Sequence, residues 1–266
     1  MGKHCLVPPF ACHIKKRVVE KLHWVYPLVL NTKKRVAGEY YWVLPIFLRL
    51  LLYFPVLCLF KIFCKFEVRG IENIRINKTH GVIFAANHAS ELDPVLVSIA
   101  MPFIGEHNPL FFAADEPKMF ASTETFGWRS YIYKGWFFRA WGAYPVYLKQ
   151  PRFRDSLRHH VKLLQNNKSI LYFPEGERTK DGNPKNAKPG IGYLLYKTDT
   201  IVIPVGIKGS FGMSVKNFLL GRIRACVSFG PPIRAKDMWG DKVKIRVCDF
   251  KEGADGIMLQ VKELLY

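Results

Sequence analysis

Gly81-Val82-Ile83-Phe84-Ala85-Ala86-Asn87-His88-Ala89-Ser90-Glu91-Leu92-Asp93-Pro94 is the stretch on which the fold turns. Its first half is a short, unbroken apolar run bounded by turn signals, the pattern of a strand buried on both faces of a parallel sheet. Its second half releases a polar cluster where that strand ends. Working outward, Phe66 to Ile74 reads as a strand before it and Pro94 to Met101 as a short helix after it. Arg152 to Asn166 carries Phe153, Leu157, Val161 and Leu164 at helical spacing. Ser169–Phe173, Thr200–Ile207 and Arg224–Phe229 read as strands, and Asp255–Leu265 as a closing helix. Strands alternating with helices predict an α/β fold with a mostly parallel central sheet flanked by helices. With no repeat or Gly/Ser linker in it, 66–266 reads as one domain.

Composition narrows the rest. An apolar share of 49% in 266 residues excludes a disordered chain, and six Cys without a regular framework exclude a secreted disulfide scaffold. The 40 Lys+Arg against 21 Asp+Glu leave a net charge of +19, which calls for an anionic partner: nucleic acid, a phospholipid surface or a phosphorylated substrate. No RNP-type sheet, helix-turn-helix or zinc finger is visible, so nucleic acid is not expected. His4-Cys5 and Cys12-His13 are ligand types without knuckle spacing, and a metal site is not expected. Neither a myristoylation signal nor a secretory leader is read at the N-terminus.

Residues 1–65 form a separate, basic segment. Val43 to Phe60 is almost wholly apolar, interrupted by Arg49, Pro45 and Pro55, with basic residues on both sides. Arg49 near a bilayer midplane is costly, and prolines kink a helix. These features favour a membrane-associated helix or hairpin, re-entrant or lying on the surface, over a clean span; a buried core helix is the remaining reading. Phe126 to Leu148 crowds Trp128, Tyr131, Trp136, Trp141, Tyr144 and Tyr147 among Arg129, Lys134 and Arg139, the chemistry of a lipid headgroup layer or of an aromatic core.

Three features at strand ends carry chemistry. His88 with Asp93 five residues on can form a His–carboxylate pair, the carboxylate fixing the tautomer and the other ring nitrogen acting as base. Asp93 before Pro94 also suffices as a helix cap, and Ser90 is a rival nucleophile. Phe173-Pro174-Glu175-Gly176-Glu177-Arg178-Thr179 is a glycine turn presenting a guanidinium, suited to a phosphate or to an intraloop Glu–Arg pair. Lys180, Lys185 and Lys188 follow. Ile203-Pro204-Val205-Gly206-Ile207 puts a proline in a strand, which points to an edge, a bulge or a cavity wall.

In this order, Asn87-His88-x-Ser90-x-x-Asp93-Pro94, Phe173-Pro174-Glu175-Gly176-x-Arg178-Thr179, Lys188-Pro189-Gly190 and Ile203-Pro204-Val205-Gly206-Ile207 resemble the blocks of the glycerolipid acyltransferases, over roughly residues 68–232. The closest likeness is to the 1-acylglycerol-3-phosphate (lysophosphatidate) acyltransferases. The resemblance implies His88 as general base and Asp93 as its orienting partner. Glu175, Gly176 and Arg178 would bind the acceptor's phosphate, Asn87 and Ser90 would lie beside the substrate, and Pro204 would shape the acyl cavity. It further implies a lysophospholipid acceptor, an acyl-CoA or acyl-carrier-protein donor, no bound cofactor or metal, and a membrane-associated protein with its site on the cytoplasmic side. This chain departs from the family at Glu177, where Thr is usual. It also departs at Ala114 and at Tyr147 or Leu148, where a Lys and an Arg are usual, so other acceptors and a non-catalytic relative are the rival readings.

Overall fold

The computed structural model describes residues 43–76, 81–114, 135–147, 153–240 and 245–266. The His4–His13 ligand pairs, the basic residues before position 42 and the aromatic run through Lys134 lie outside them.

Among the described residues the chain runs α1 (Val43–Phe63), β1 (Cys64–Arg69), a 3-10 turn (Ile71–Ile74), β2 (Val82–Ala86), α2 (Asp93–Ala100), β3 (Phe111–Ala114), α3 (Gly135–Ala140), β4 (Ala143–Pro145) and α4 (Phe153–Ser156). It continues through α5 (Arg158–Gln165), β5 (Ile170–Tyr172), α6 (Gly190–Thr198), β6 (Ile201–Lys208), α7 (Val215–Leu219), β7 (Ile223–Phe229), α8 (Ala235–Trp239) and α9 (Val247–Glu263). The strands form one sheet in the order β1-β7-β6-β2-β5-β3-β4. Every described pairing is parallel except β6 with β7. This is the mostly parallel α/β sheet that the alternation of patterns predicts.

β2 lies near the middle, and all five of its residues are buried. That explains its unbroken apolar run: a strand covered on both faces has no solvent side to mark with polar residues. Phe84, Ala86, Ile203, Val205 and Leu171 share one face with Leu96, Val97 and Phe60. Each large side chain buried there contributes on the order of 1.5–3 kcal/mol.

The structure alters four expectations. The 66–74 strand stops at Arg69 because Gly70 takes φ +65 and turns the chain; a Cβ there would stand 2.1 Å from the Phe229 carbonyl oxygen, so only glycine fits. The 152–166 helix is split at Leu157 into α4 and α5. The closing helix starts earlier, at Val247. Pro204 lies in an internal strand, not at an edge. Val202 pairs with Ile233 and the Pro204 carbonyl accepts from Gly230, so the missing N–H faces the point where the chain leaves the ladder through Pro231 and Pro232.

The apolar segment is one helix, not a hairpin, and it carries Pro55 without breaking. Tyr41–Tyr266 forms a single compact unit, and α1 packs along it. Arg49 donates to the carbonyls of Ser98 and Pro102, Tyr53 donates to that of Met101, and the Phe60 ring lies 5.1 Å from Phe218. Phe47, Leu50, Leu51, Phe54, Leu59 and Ile62 stand outward and exposed. Although α1 is long and apolar enough to cross a membrane, only 11% of its most apolar stretch is buried. The helix is tied to the domain at Arg49, Tyr53 and Phe60 and leaves an apolar face outward.

Of the aromatic stretch, the described part divides. Tyr144 is buried beside Phe111 at 5.8 Å, whereas Trp141 is 37% exposed. Part of it is therefore core.

Candidate active site

Five parallel strands, β4, β3, β5, β2 and β6, deliver their carboxyl ends to one edge of the sheet, where ligands of open α/β folds bind. β2 runs straight into the His88 turn. Asn87 sets its exit: its amide donates to the Ile207 carbonyl at 2.9 Å and accepts the Ile207 N–H at 2.7 Å. The side chain thus extends the β2–β6 ladder and clamps the turn from within the domain.

Beyond it, His88 Nδ1 lies 2.9 Å from Asp93 Oδ2. The same oxygen accepts the N–H groups of Ala89 at 2.7 Å and Ser90 at 2.8 Å. Asp93 is fully buried, and its other oxygen, Oδ1, has no partner among the described residues. A carboxylate so placed holds the loop around itself, fixes Nδ1 as the protonated ring nitrogen and stabilises an imidazolium. Nε2 has no described partner and is left for chemistry. The ring, 19% exposed, stacks on Phe173 with centroids 4.0 Å apart and planes 15° off parallel. Asp93 opens α2 with Pro94 behind it, but its carboxylate reaches back to the turn instead of capping the helix. Ser90 Oγ accepts the Leu92 N–H at 3.2 Å, a local turn bond that gives it no base.

The second loop leaves β5. Glu175, 1% exposed, accepts the His88 N–H at 2.8 Å on one oxygen and the Lys185 N–H at 2.7 Å on the other. Burial pushes its pKa up, while the two N–H bonds and the nearby His88 and Lys185 pull it back. Glu175, expected at the acceptor's phosphate, directs both oxygens at backbone N–H groups and so ties the His88 turn to the 185 loop. The Thr179 N–H completes that attachment by donating to the His88 carbonyl at 2.8 Å.

The cations stand on the solvent side. Arg178 pairs with Glu91 at 2.9 Å and Lys185 with Glu177 at 3.2 Å. Glu177 is held below its usual range by that lysine bond and by the charges of Lys185 and Lys188. Gly176 has φ +72, and a Cβ on it would lie 2.8 Å from Lys188 Nζ, so the glycine admits an ammonium against the backbone. Asp181, bonded by Thr179 and Asn183, is pushed down to about 2 and shapes the next turn. Arg178, Lys185 and Lys188 thus form a basic rim beside the His88 turn, the first two held by Glu91 and Glu177.

Pro204 is apart from this cluster. Its face of β6 alternates with that of Ile203 and Val205, and its Cβ lies 3.4 Å from the position a Gly230 Cβ would take, near Leu264. Sequence reasoning missed Glu91, which holds Arg178; it lies inside the first block, but nothing in the spacing shows that its partner comes from the second. At the far end of the edge, Tyr147 is covered by the Arg158 guanidinium at 4.9 Å. A cation is thus present where the departure from the family pattern suggested a loss. No group of three or more metal-ligating side chains occurs among the described residues.

Comparison with known proteins agrees with this architecture. The model of the Acyltransferase family matches residues 65–208, more than half of the chain, and the chain belongs to that family. It is similar to the chloroplastic 1-acyl-sn-glycerol-3-phosphate acyltransferase LPAT1 of Arabidopsis thaliana, 29% identical over 150 residues that are 56% of this chain and 37% of that protein. A second relative is the chloroplastic 1-acyl-sn-glycerol-3-phosphate acyltransferase BAT2 of Brassica napus, 27% identical over 150 residues, 56% of this chain and 38% of that one. The chain therefore spans well under half the length of either plant relative. Its fold matches the crystal structure of the 1-acyl-sn-glycerophosphate (LPA) acyltransferase PlsC from Thermotoga maritima, with a TM-score of 0.53 at 20% identity over 82% of this chain and 79% of that one.

Proposed function

We propose that the protein transfers a fatty acyl group from a thioester, acyl-CoA or acyl-carrier protein, to the free hydroxyl of a lysophospholipid, with 1-acylglycerol 3-phosphate as acceptor and phosphatidate as product. The observation that carries this reading is the His88–Asp93 pair, closed on Nδ1 and open on Nε2, beside a rim of Arg178, Lys185 and Lys188. Nε2 takes the hydroxyl proton as the oxygen attacks the thioester carbonyl. The C–S bond then breaks, and the imidazolium returns its proton to the leaving thiolate. Asp93 stabilises the transient charge pair throughout. The acyl group passes directly between substrates, in keeping with a Ser90 hydroxyl that has no base. The rim supports an acceptor bearing a phosphate: Arg178 can exchange its Glu91 partner for phosphate oxygens with little movement.

The same reading makes the protein membrane-associated, with α1 in the headgroup and upper acyl layer and its site on the cytoplasmic side; the outward apolar side chains of α1 support it. The test is an assay of detergent-solubilised protein with labelled acyl-CoA against lysophosphatidate, lysophosphatidylglycerol and glycerol 3-phosphate. Lysophosphatidate is expected to be acylated, and His88→Ala to reduce turnover by about 10²–10⁴. A loss of only a few-fold overturns His88 as the base, and transfer confined to another acceptor overturns the lysophosphatidate assignment.

A further inference from the structure

The chain between β6 and β7 does not make a tight hairpin. It departs at Gly209 and returns at Arg222, with α7 in between, started by Ser214, whose Oγ accepts the Asn217 N–H at 3.2 Å. No residue of α7 is buried. Val215 is 75% exposed, Leu219 57%, Leu220 54% and Phe211 48%, an unusual density of large apolar side chains for a loop of this length.

Two contacts fix where this excursion lies. Phe218 packs against α1, its ring 5.1 Å from Phe60 and 5.8 Å from Phe63. Phe211 lies over Gly182, 3.0 Å from where a Cβ would stand, and so touches the loop that follows Arg178. The excursion thus joins the end of α1, where Leu59 and Ile62 are exposed, to the rim of the His88 site. Its charge is one-sided. From Val43 to Phe66 and from Thr200 to Lys236 the sequence has no Asp or Glu, while Lys61, Lys208, Lys216 and Arg222 are exposed.

We infer that the β6–β7 excursion is a second membrane-contacting element, with Val215, Leu219 and Leu220 entering an anionic phospholipid bilayer beside α1 and Lys216 and Arg222 meeting its headgroups. The occupant is a lipid surface because the patch continues the outward face of α1 and offers cations with no acidic side chain to pair a protein partner's lysines or arginines. It holds the bilayer against the edge of the sheet that carries His88, so an amphiphile reaches the site without leaving the interface.

The consequence for turnover rests on the acyl-transfer reading; the insertion itself does not, and two measurements separate them. In full-length protein with its native cysteines replaced by serine and Leu219→Cys labelled with an environment-sensitive fluorophore, vesicles of phosphatidylcholine with 30 mol% phosphatidylglycerol should blue-shift and brighten the emission, about as a site in the headgroup–acyl boundary does. Unchanged emission on vesicles that demonstrably bind the protein overturns the inference, whether or not the protein turns over any substrate. In the native-cysteine protein, Val215→Ser/Leu219→Ser/Leu220→Ser should cut acylation of vesicle-embedded lysophosphatidate by at least about tenfold, the scale of losing even one such side chain from an apolar surrounding. Acylation of a short-chain, water-soluble lysophosphatidate should be kept. Equal activity on both substrates, or an equal loss on both, overturns it.

Discussion

At the carboxyl edge of the sheet, two carboxylates, Asp93 and Glu175, are taken out of water, and each is met by backbone N–H groups. Over α1 and α7 there is no carboxylate, and large apolar side chains stand in solvent. The two regions lie on one domain and meet where Phe211 covers Gly182, yet they balance opposite quantities. The edge fixes a single geometry by burying charge that only one arrangement of loops can satisfy. The outer face fixes nothing by itself; its apolar surface is completed by whatever covers it. On the acyl-transfer reading proposed above, precision is placed where a proton would move, and adaptability where a lipid surface would be met.

The largest expected effect breaks the edge. Glu175→Gln leaves an amide N–H₂ facing one of two backbone donors, an unsatisfied pair costing about 1–3 kcal/mol. Because one of those donors is His88 itself, kcat should fall by about 10²-fold with KM for acceptor and donor nearly unchanged. Steady-state kinetics decide it, and a preserved kcat would show that the turn holds its shape without this tie. A smaller effect is expected at the rim, where Arg178 is partly exposed and already paired. Arg178→Ala should raise the KM of a phosphorylated acceptor by about tenfold and leave kcat nearly unchanged. An unchanged KM removes the guanidinium from the acceptor's site.

The smallest effect on activity serves to tell site damage from loss of fold. His160 is fully buried on α5, away from both regions, and desolvation first, then the neighbouring His159, pushes its pKa from 6.5 down to about 3. An unfolded chain binds that proton near pH 6.5 and the native state does not, so stability is present above pH 6.5 and is lost as pH falls towards 3, by up to about 1.4 kcal/mol per pH unit. In urea unfolding between pH 7 and 4, His160→Gln should give a flatter stability profile than the parent, with acyl transfer at neutral pH retained. An unaltered slope would assign the acid sensitivity to other groups.

How much of this was legible in the sequence depends on the length of each signal. β2, β6 and β7 announce themselves by apolar runs, and the His88 and Glu175 loops by polar clusters directly after them. β3 and β4 have only four and three residues, too short to carry a period; β3 exists because β5 offers it an edge, and β4 because β3 does. α6 buries Ile191, Leu194 and Leu195 at the i, i+3, i+4 spacing of a helix, but the stripe is one turn long and the helix begins at Gly190 without a side-chain cap to mark its start. Glu175 was legible as a carboxylate of the second loop but not in its contacts, because its partners are main-chain N–H groups that no side-chain pattern encodes. Of the helix and the hairpin left open at Val43–Phe60 it is the helix that forms, because Pro55 is accommodated in a helix supported along one side by the domain, a tertiary fact.

The pairing of β1 with β7 also sets an order in time. Cys64 finds its partner at Ile223, and Asn73, just after β1, hydrogen-bonds Phe229, 156 residues later. At a synthesis rate of about 5–20 residues per second, roughly 10–30 s separate the emergence of β1 from that of its partner. Throughout that interval the neighbouring α1 is a nascent apolar helix without its Phe218 contact. Its outward apolar side chains are therefore made, and need cover, well before the His88 edge of the sheet can assemble.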